Sequence, residues 1–71
     1  LDLKYGELAG MFSALSSPAR LKILFSLSGG GKRYIDLTGE LGMVGGMLYH
    51  HLRALIYAGL VKSVDRGRYE L

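Results

Sequence analysis

Glycine limits how long any element of this chain can be. It stands three in a row at Gly29, Gly30 and Gly31, alone at Gly42, paired at Gly45 and Gly46, and again at Gly59 and Gly67. Such sites break helices or form turns, so the chain folds as short pieces. The apolar residues between them carry helical spacing in four segments. Leu8, Met11, Phe12 and Leu15 make one stripe. Gly6 and Gly10 weaken that first helix, which therefore needs packing within the fold or against another subunit. Ser17 is a candidate N-cap with Pro18 in the first turn of a second helix. That helix places Leu21, Leu24, Phe25 and Ser28 near one face, with Ile23 and Leu27 broadening it, and is expected to be short and buried. Tyr34 and Ile35 suit a brief extended piece. Leu37 and Leu41 follow one turn apart, and Gly42 is a plausible stop. A longer helix carries Leu48, Leu52 and Leu55, with Ile56 beside them, and ends at Gly59. After it the period changes. Val61 and Val64 flank a polar stretch, Asp65-Arg66-Gly67 supplies a turn, and Arg68-Tyr69-Glu70-Leu71 returns. The pattern predicts a β-hairpin with Gly67 at positive φ.

The expected fold class is mainly α with a small β-hairpin. A chain of 71 residues makes one domain, residues 1–71, with a modest core. Its abrupt stop after Tyr69-Glu70-Leu71 fits a piece of a longer protein. There is no cysteine, which argues against a disulfide-built secreted module. The net charge of +3 leans mildly toward anionic partners. A 49% apolar share excludes a disordered basic tail. No apolar run approaches the ~20 residues that span a bilayer, and no signal peptide is visible. The expectation is a cytoplasmic protein without membrane contact.

A short helix, a tight turn and a second helix make a helix-turn-helix. A hairpin directly after it makes a winged helix. The residues also carry a likeness. "ALSSPARLKIL", "DLTGELGM" and "LYHHLRALIYAGLVK" resemble the matching parts of ArsR-type winged helix-turn-helix transcriptional regulators and their close relatives, over about residues 12–71. The most specific elements are Leu15, Ser16, Pro18, Arg20 and Ile23, then His51-Leu52 through Ala58-Gly59-Leu60-Val61. The resemblance implies a DNA-binding domain. Its reading helix, about 44–58, would enter the major groove of double-stranded DNA, and its basic wing, about 61–71, would lie on the backbone. Carried onto this chain, the groove positions are Gly45, Gly46, Tyr49, His50 and Arg53, and the wing presents Lys62, Arg66 and Arg68. Members of the family typically carry Ser, Gln or Thr where this chain has Val44, Gly45 and Gly46. The two glycines offer only backbone N–H groups, which attract phosphate but read little sequence. They also allow close approach to the duplex. Base contact then falls to Tyr49, His50 and Arg53. The family's metal sensors use cysteines that this chain lacks, so neither metal nor cofactor is expected.

Each candidate has a plainer reading. His50 and His51 are adjacent, so on a helix they diverge by about 100° and do not share a metal as an i, i+4 pair would. His51 is expected to be a partly buried packing residue, and His50 either a groove contact or a solvated histidine. Arg53 is a phosphate or base contact, or else a surface arginine. Tyr49 either touches phosphate or sugar or shields the motif. Arg66 and Arg68 bracket Gly67 as phosphate contacts, while Asp65 shapes the turn. The Gly29-Gly30-Gly31-Lys32 run lacks the spacing of a phosphate loop, and Arg33 follows where Ser or Thr belongs. Lys32 and Arg33 are better read as a solvated basic pair beside the motif. Asp36 suits the first turn of its helix, and no catalytic arrangement emerges, so no enzyme is expected. The stripe of Leu8, Met11, Phe12 and Leu15, with Tyr5 near its start, is the candidate face for a homodimer through the first helix. The competing expectation is a winged helix used as a protein-interaction or architectural module, since fold alone does not decide function.

Overall fold

The computed structural model describes residues 4–65 and 67–71. It contains α1 (Tyr5–Ala14), α2 (Pro18–Leu27), β1 (Lys32–Arg33), α3 (Tyr34–Leu41), α4 (Met47–Tyr57), β2 (Lys62–Asp65) and β3 (Arg68–Glu70). This is a winged helix-turn-helix, as the order of periodic segments predicts.

Local signals set the helix ends. Ser17 Oγ accepts the Arg20 N–H at 3.4 Å and Pro18 opens α2. Gly42, at positive φ, closes α3. At the end of α4 the Leu60 N–H donates to the Leu55 carbonyl at 2.9 Å and the Gly59 N–H to the Ile56 carbonyl at 3.0 Å. Those two bonds form a Schellman motif, and Gly59 carries the left-handed residue it requires, with φ of 80°.

One apolar cluster joins these pieces: Ala14, Ile23, Leu27, Leu37, Met43, Leu48, Leu52, Leu55 and Val61. The six large ones that are fully buried are Ile23, Leu27, Leu37, Leu48, Leu52 and Leu55. Each contributes about 1.5–3 kcal/mol relative to an exposed position. The Leu48, Leu52 and Leu55 stripe of α4 is buried as its spacing predicts.

The packing departs from the sequence reading in four places. The buried face of α2 is Ile23 and Leu27; Leu21 is half exposed and Phe25 is 82% exposed. Both α3 and α4 pack on α2, and the residues they cover are these two. Second, the extended piece is Lys32–Arg33, and Tyr34 already begins α3. Tyr34 packs on the core instead, and its ring lies 6.4 Å from that of Tyr69. Third, the hairpin is part of a three-stranded antiparallel sheet ordered β1-β3-β2. Lys32 pairs with Tyr69 and Arg33 with Arg68, while Lys62 pairs with Glu70. Fourth, α4 begins at Met47, because Gly45 and Gly46 form the turn before it. In α1 only Ala14 is fully buried; Leu8, Met11 and Leu15 are half-buried, and Tyr5 and Phe12 are exposed. Among the described residues no helix is long and apolar enough to cross a membrane.

Candidate nucleic-acid interface

The turn between α3 and α4 is pinned from inside and open outside. Met43 is buried in the core, and Val44 is exposed. Gly45 follows with φ of 63°, and a Cβ there would meet no other atom within 4 Å. Gly46 is the N-cap of α4 at φ −85°, and its carbonyl accepts the His50 N–H at 2.9 Å. No side chain caps this helix. The Gly45-Gly46 turn that leads into α4 therefore presents backbone rather than side chains.

Beyond that turn, the burial of Leu48, Leu52 and Leu55 forces Tyr49, His50 and Arg53 to the outer face. Tyr49 and Arg53 are four apart, so they meet on the helix surface. Arg53 Nη1 donates to Tyr49 Oη at 3.2 Å, and the guanidinium carbon lies 5.7 Å from the ring centroid. The phenol oxygen beside Arg53 raises its pKa further, so it is a permanent cation. His50 is exposed.

His51 is half-buried, as expected of a packing residue, and has a partner the sequence does not disclose. Arg20 Nε donates to its Nδ1 at 3.1 Å across 31 positions. An imidazole that accepts at Nδ1 is neutral, with its proton on Nε2. Burial, then the Arg20 charge, then His50 push its pKa below the ordinary value. The bond ties the first turn of α2 to the middle of α4. The two histidine rings are tilted, 5.5 Å apart.

Lys62 lies in β2 and Arg68 in β3. Lys62 Nζ lies 3.4 Å from Glu70 Oε1, across a register pair. Arg68 is exposed and its Nη2 donates to the Gly31 carbonyl at 3.3 Å. Arg66 lies outside the described residues. Arg33 is exposed and Lys32 half-buried, and each has a carboxylate partner that the reading of a solvated basic pair did not name. Lys32 Nζ bridges to Glu40 at 2.9 Å and Arg33 Nε to Asp36 Oδ2 at 3.2 Å. Hydrogen bonds from Ser26 and Lys32 hold the Glu40 carboxyl below the usual carboxylate range. These pairs hold β1 to α2 and α3. Asp36 and Glu40 are thus occupied structurally, and no group of three metal-ligating side chains gathers among the described residues.

This arrangement is a helix-turn-helix with an outward, acid-free helix face and an attached β wing. Residues 17–63 match the family described as "Bacterial regulatory protein, arsR family". The chain belongs to the arsR family. The matched residues run from the N-cap of α2 into β2, so they contain the whole helix-turn-helix; α1 and β3 lie outside them. With that membership, the winged helix described above is the DNA-binding domain of a transcriptional regulator. Two curated relatives of this arsR-family chain are similar over most of its length. One is an uncharacterised HTH-type transcriptional regulator of Methanocaldococcus jannaschii, MJ0229, 39% identical over 61 residues, which are 86% of this chain and 64% of that protein. The other is the HTH-type transcriptional regulator NmtR of Mycobacterium tuberculosis, 37% identical over 62 residues, 87% of this chain and 52% of the relative. The chain thus spans less than two thirds of either relative.

Proposed function

We propose that residues 1–71 act as one winged-helix unit that lays the start of α4 in the major groove of duplex DNA and rests its wing on the backbone. Gly45 and Gly46 let backbone N–H groups approach phosphate closely. Tyr49, His50 and Arg53 face the groove floor and walls, and Lys62, Arg66 and Arg68 supply backbone contacts. Such a unit carries out no catalytic step and works beside the chromosome, in the cytoplasm. The observation that carries this reading is the outer face of α4, where Tyr49, His50 and Arg53 stand together without a carboxylate in Met47–Tyr57.

Two copies would pair through α1. Tyr5 and Phe12 are seven residues apart, so they share one side of α1, and Phe12 is 68% exposed. Leu8, Met11 and Leu15 complete that face. A two-fold pair sets two reading helices on successive grooves, as a palindromic site requires. Sedimentation of the full-length protein tests it, and a strict monomer at high concentration removes the paired-site arrangement.

Binding should be led by phosphate charge. Neutralising roughly three phosphates gives a slope of about −2.7 in log affinity against log salt, so a fourfold rise in salt weakens binding about fortyfold. Arg68→Ala should weaken binding evenly across unrelated duplexes and reduce that slope by about 1. Affinity that does not change with salt would refute the mechanism. It would favour a protein-interaction module, for which Tyr57, 96% exposed at the end of α4, and the half-exposed Tyr49 are the supporting observation.

A further inference from the structure

Among the described residues, Lys4, Lys32, Arg33 and Lys62 each face a carboxylate. Arg20, Arg53 and Arg68 instead donate to neutral groups. The partner of Arg53 among the described residues is the phenol oxygen of Tyr49, over whose ring it lies. An aromatic partner orients a guanidinium without cancelling its charge. Long side chains on a helix lean toward its N-terminus. The contact with Tyr49 therefore carries the Arg53 fork one turn back, toward the start of α4. One N–H of the five is used; the outer edge of the plane keeps its paired donors.

The composition narrows what such a helix can read. Two-pronged recognition of adenine needs asparagine or glutamine, and cytosine is read by a carboxylate. This chain contains neither asparagine nor glutamine. α4 contains no aspartate or glutamate. Arginine is the two-pronged partner of guanine O6 and N7, and Arg53 is the arginine of α4. The same fork also fits phosphate, and the groove-facing position of Arg53 on the outer face of α4 is what favours a base edge. A guanidinium tethered at one Nη to the Tyr49 oxygen keeps a pair of donors for a planar acceptor pair.

We propose that Arg53 reads a guanine in the major groove and that Tyr49 is its positioning residue. Each half-site then carries one guanine at a fixed place, and the remaining preference is weak. The inference rests on the groove-facing role of α4 proposed above.

The test begins by selecting bound sites from random duplexes with the full chain. The expected consensus contains one fixed guanine per half-site. Replacing it with 7-deazaguanine, which lacks the N7 acceptor, should weaken binding about fivefold to a hundredfold. Arg53→Ala removes the fork and the charge together. It should abolish the guanine preference and reduce the salt slope by about 1, while weaker binding to unrelated duplexes persists. Tyr49→Phe keeps the ring and loses the oxygen, and should lower the discrimination ratio several-fold without lowering the melting temperature. Both side chains are exposed, so neither change disturbs the core. Discrimination that survives Arg53→Ala, or a consensus without a fixed guanine, overturns the assignment while leaving phosphate-led binding intact. Loss of all duplex binding by the unaltered chain overturns the groove reading as well.

Discussion

Gly45 and Gly46 are neighbours with opposite physics, and alanine at each position separates them. At Gly45, φ is 63°, in the left-handed region. An L side chain there costs roughly 1–2 kcal/mol. No neighbouring atom stands within 4 Å of the new Cβ, so the cost is backbone strain alone. Alanine also restricts the unfolded chain, which returns about 0.4–1 kcal/mol. The net loss is about 1 kcal/mol, or about 4–8 °C in melting temperature for a domain of this size. Gly46 sits at the N-cap with φ of −85° and equally open surroundings. It is not inside the helix, so the gain expected of alanine in a helix interior does not apply. Alanine is a poorer N-cap than glycine, and the change should cost no more than about 0.5 kcal/mol.

The decisive variant replaces Gly45 with D-alanine, accessible by chemical synthesis of a chain this short. The preferred φ of a D-residue is positive, so the variant keeps the entropic gain without the strain. Circular dichroism melts of the three variants at one pH and one salt concentration read the outcome. The expected order is the D-alanine variant above the unaltered chain, Gly46→Ala close to it, and Gly45→Ala lowest. A Gly45→Ala variant as stable as the parent, or one more stable than the D-alanine variant, would refute the turn geometry.

Protonation of His51 should destabilise the fold, because its Nδ1 accepts from Arg20 and its pKa is lowered. Between the native and unfolded pKa values the unfolded chain binds more protons, so stability rises with pH in that window. The contribution is complete above the ordinary histidine value and is lost as pH falls through the native one. Melting temperature should drop from about pH 7.5 to about pH 5.5, and His51→Gln should flatten that part of the profile. An unchanged profile in the variant removes His51 as its source. Leu52 is fully buried at the centre of α4. Leu52→Ala should cost about 2–5 kcal/mol, most of what a small domain has, and urea titration should find it largely unfolded. A loss below about 1 kcal/mol would mean that the site collapses onto the cavity.

Elements whose cause is local were legible in the sequence. Ser17 and Pro18 start α2, Gly42 and Gly59 stop their helices, and Gly67 turns the hairpin at positive φ. The α4 stripe of Leu48, Leu52 and Leu55 was readable because no rival stripe competes with it. In α2 two rivals do compete. Leu21 and Phe25 have the same i, i+4 spacing as Ile23 and Leu27, and only the positions of α3 and α4 choose between them. β1 is two residues long, too short for a period, and its pairing with Tyr69 and Arg68 is non-local. The partners of Lys32, Arg33 and Arg20 were hidden in different ways. Asp36 is three residues from Arg33, but Glu40 and His51 reach Lys32 and Arg20 only through the fold. On the site, the spacing of Tyr49 and Arg53 was plain, while the bond that orients the guanidinium depends on side-chain direction. The sequence reading began the helix at about Val44, because the Leu48 stripe does not show that Gly45 takes the left-handed conformation and starts α4 at Met47.

The strand order β1-β3-β2 has a consequence in time. β3 is the middle strand, and it is the latest of the three to be synthesised. Until it emerges, β1 and β2 have nothing to pair with, because neither touches the other. At roughly 5–20 residues per second, the last helix is synthesised about 1–3 s before the middle strand is complete. Closure of β1 onto β3 spans Lys32 to Tyr69, a contact whose loop entropy is paid late and slowly. A nascent chain would therefore hold a formed reading helix without an anchored wing. Any chain that stops before Arg68 leaves β1 and β2 as unpaired edges.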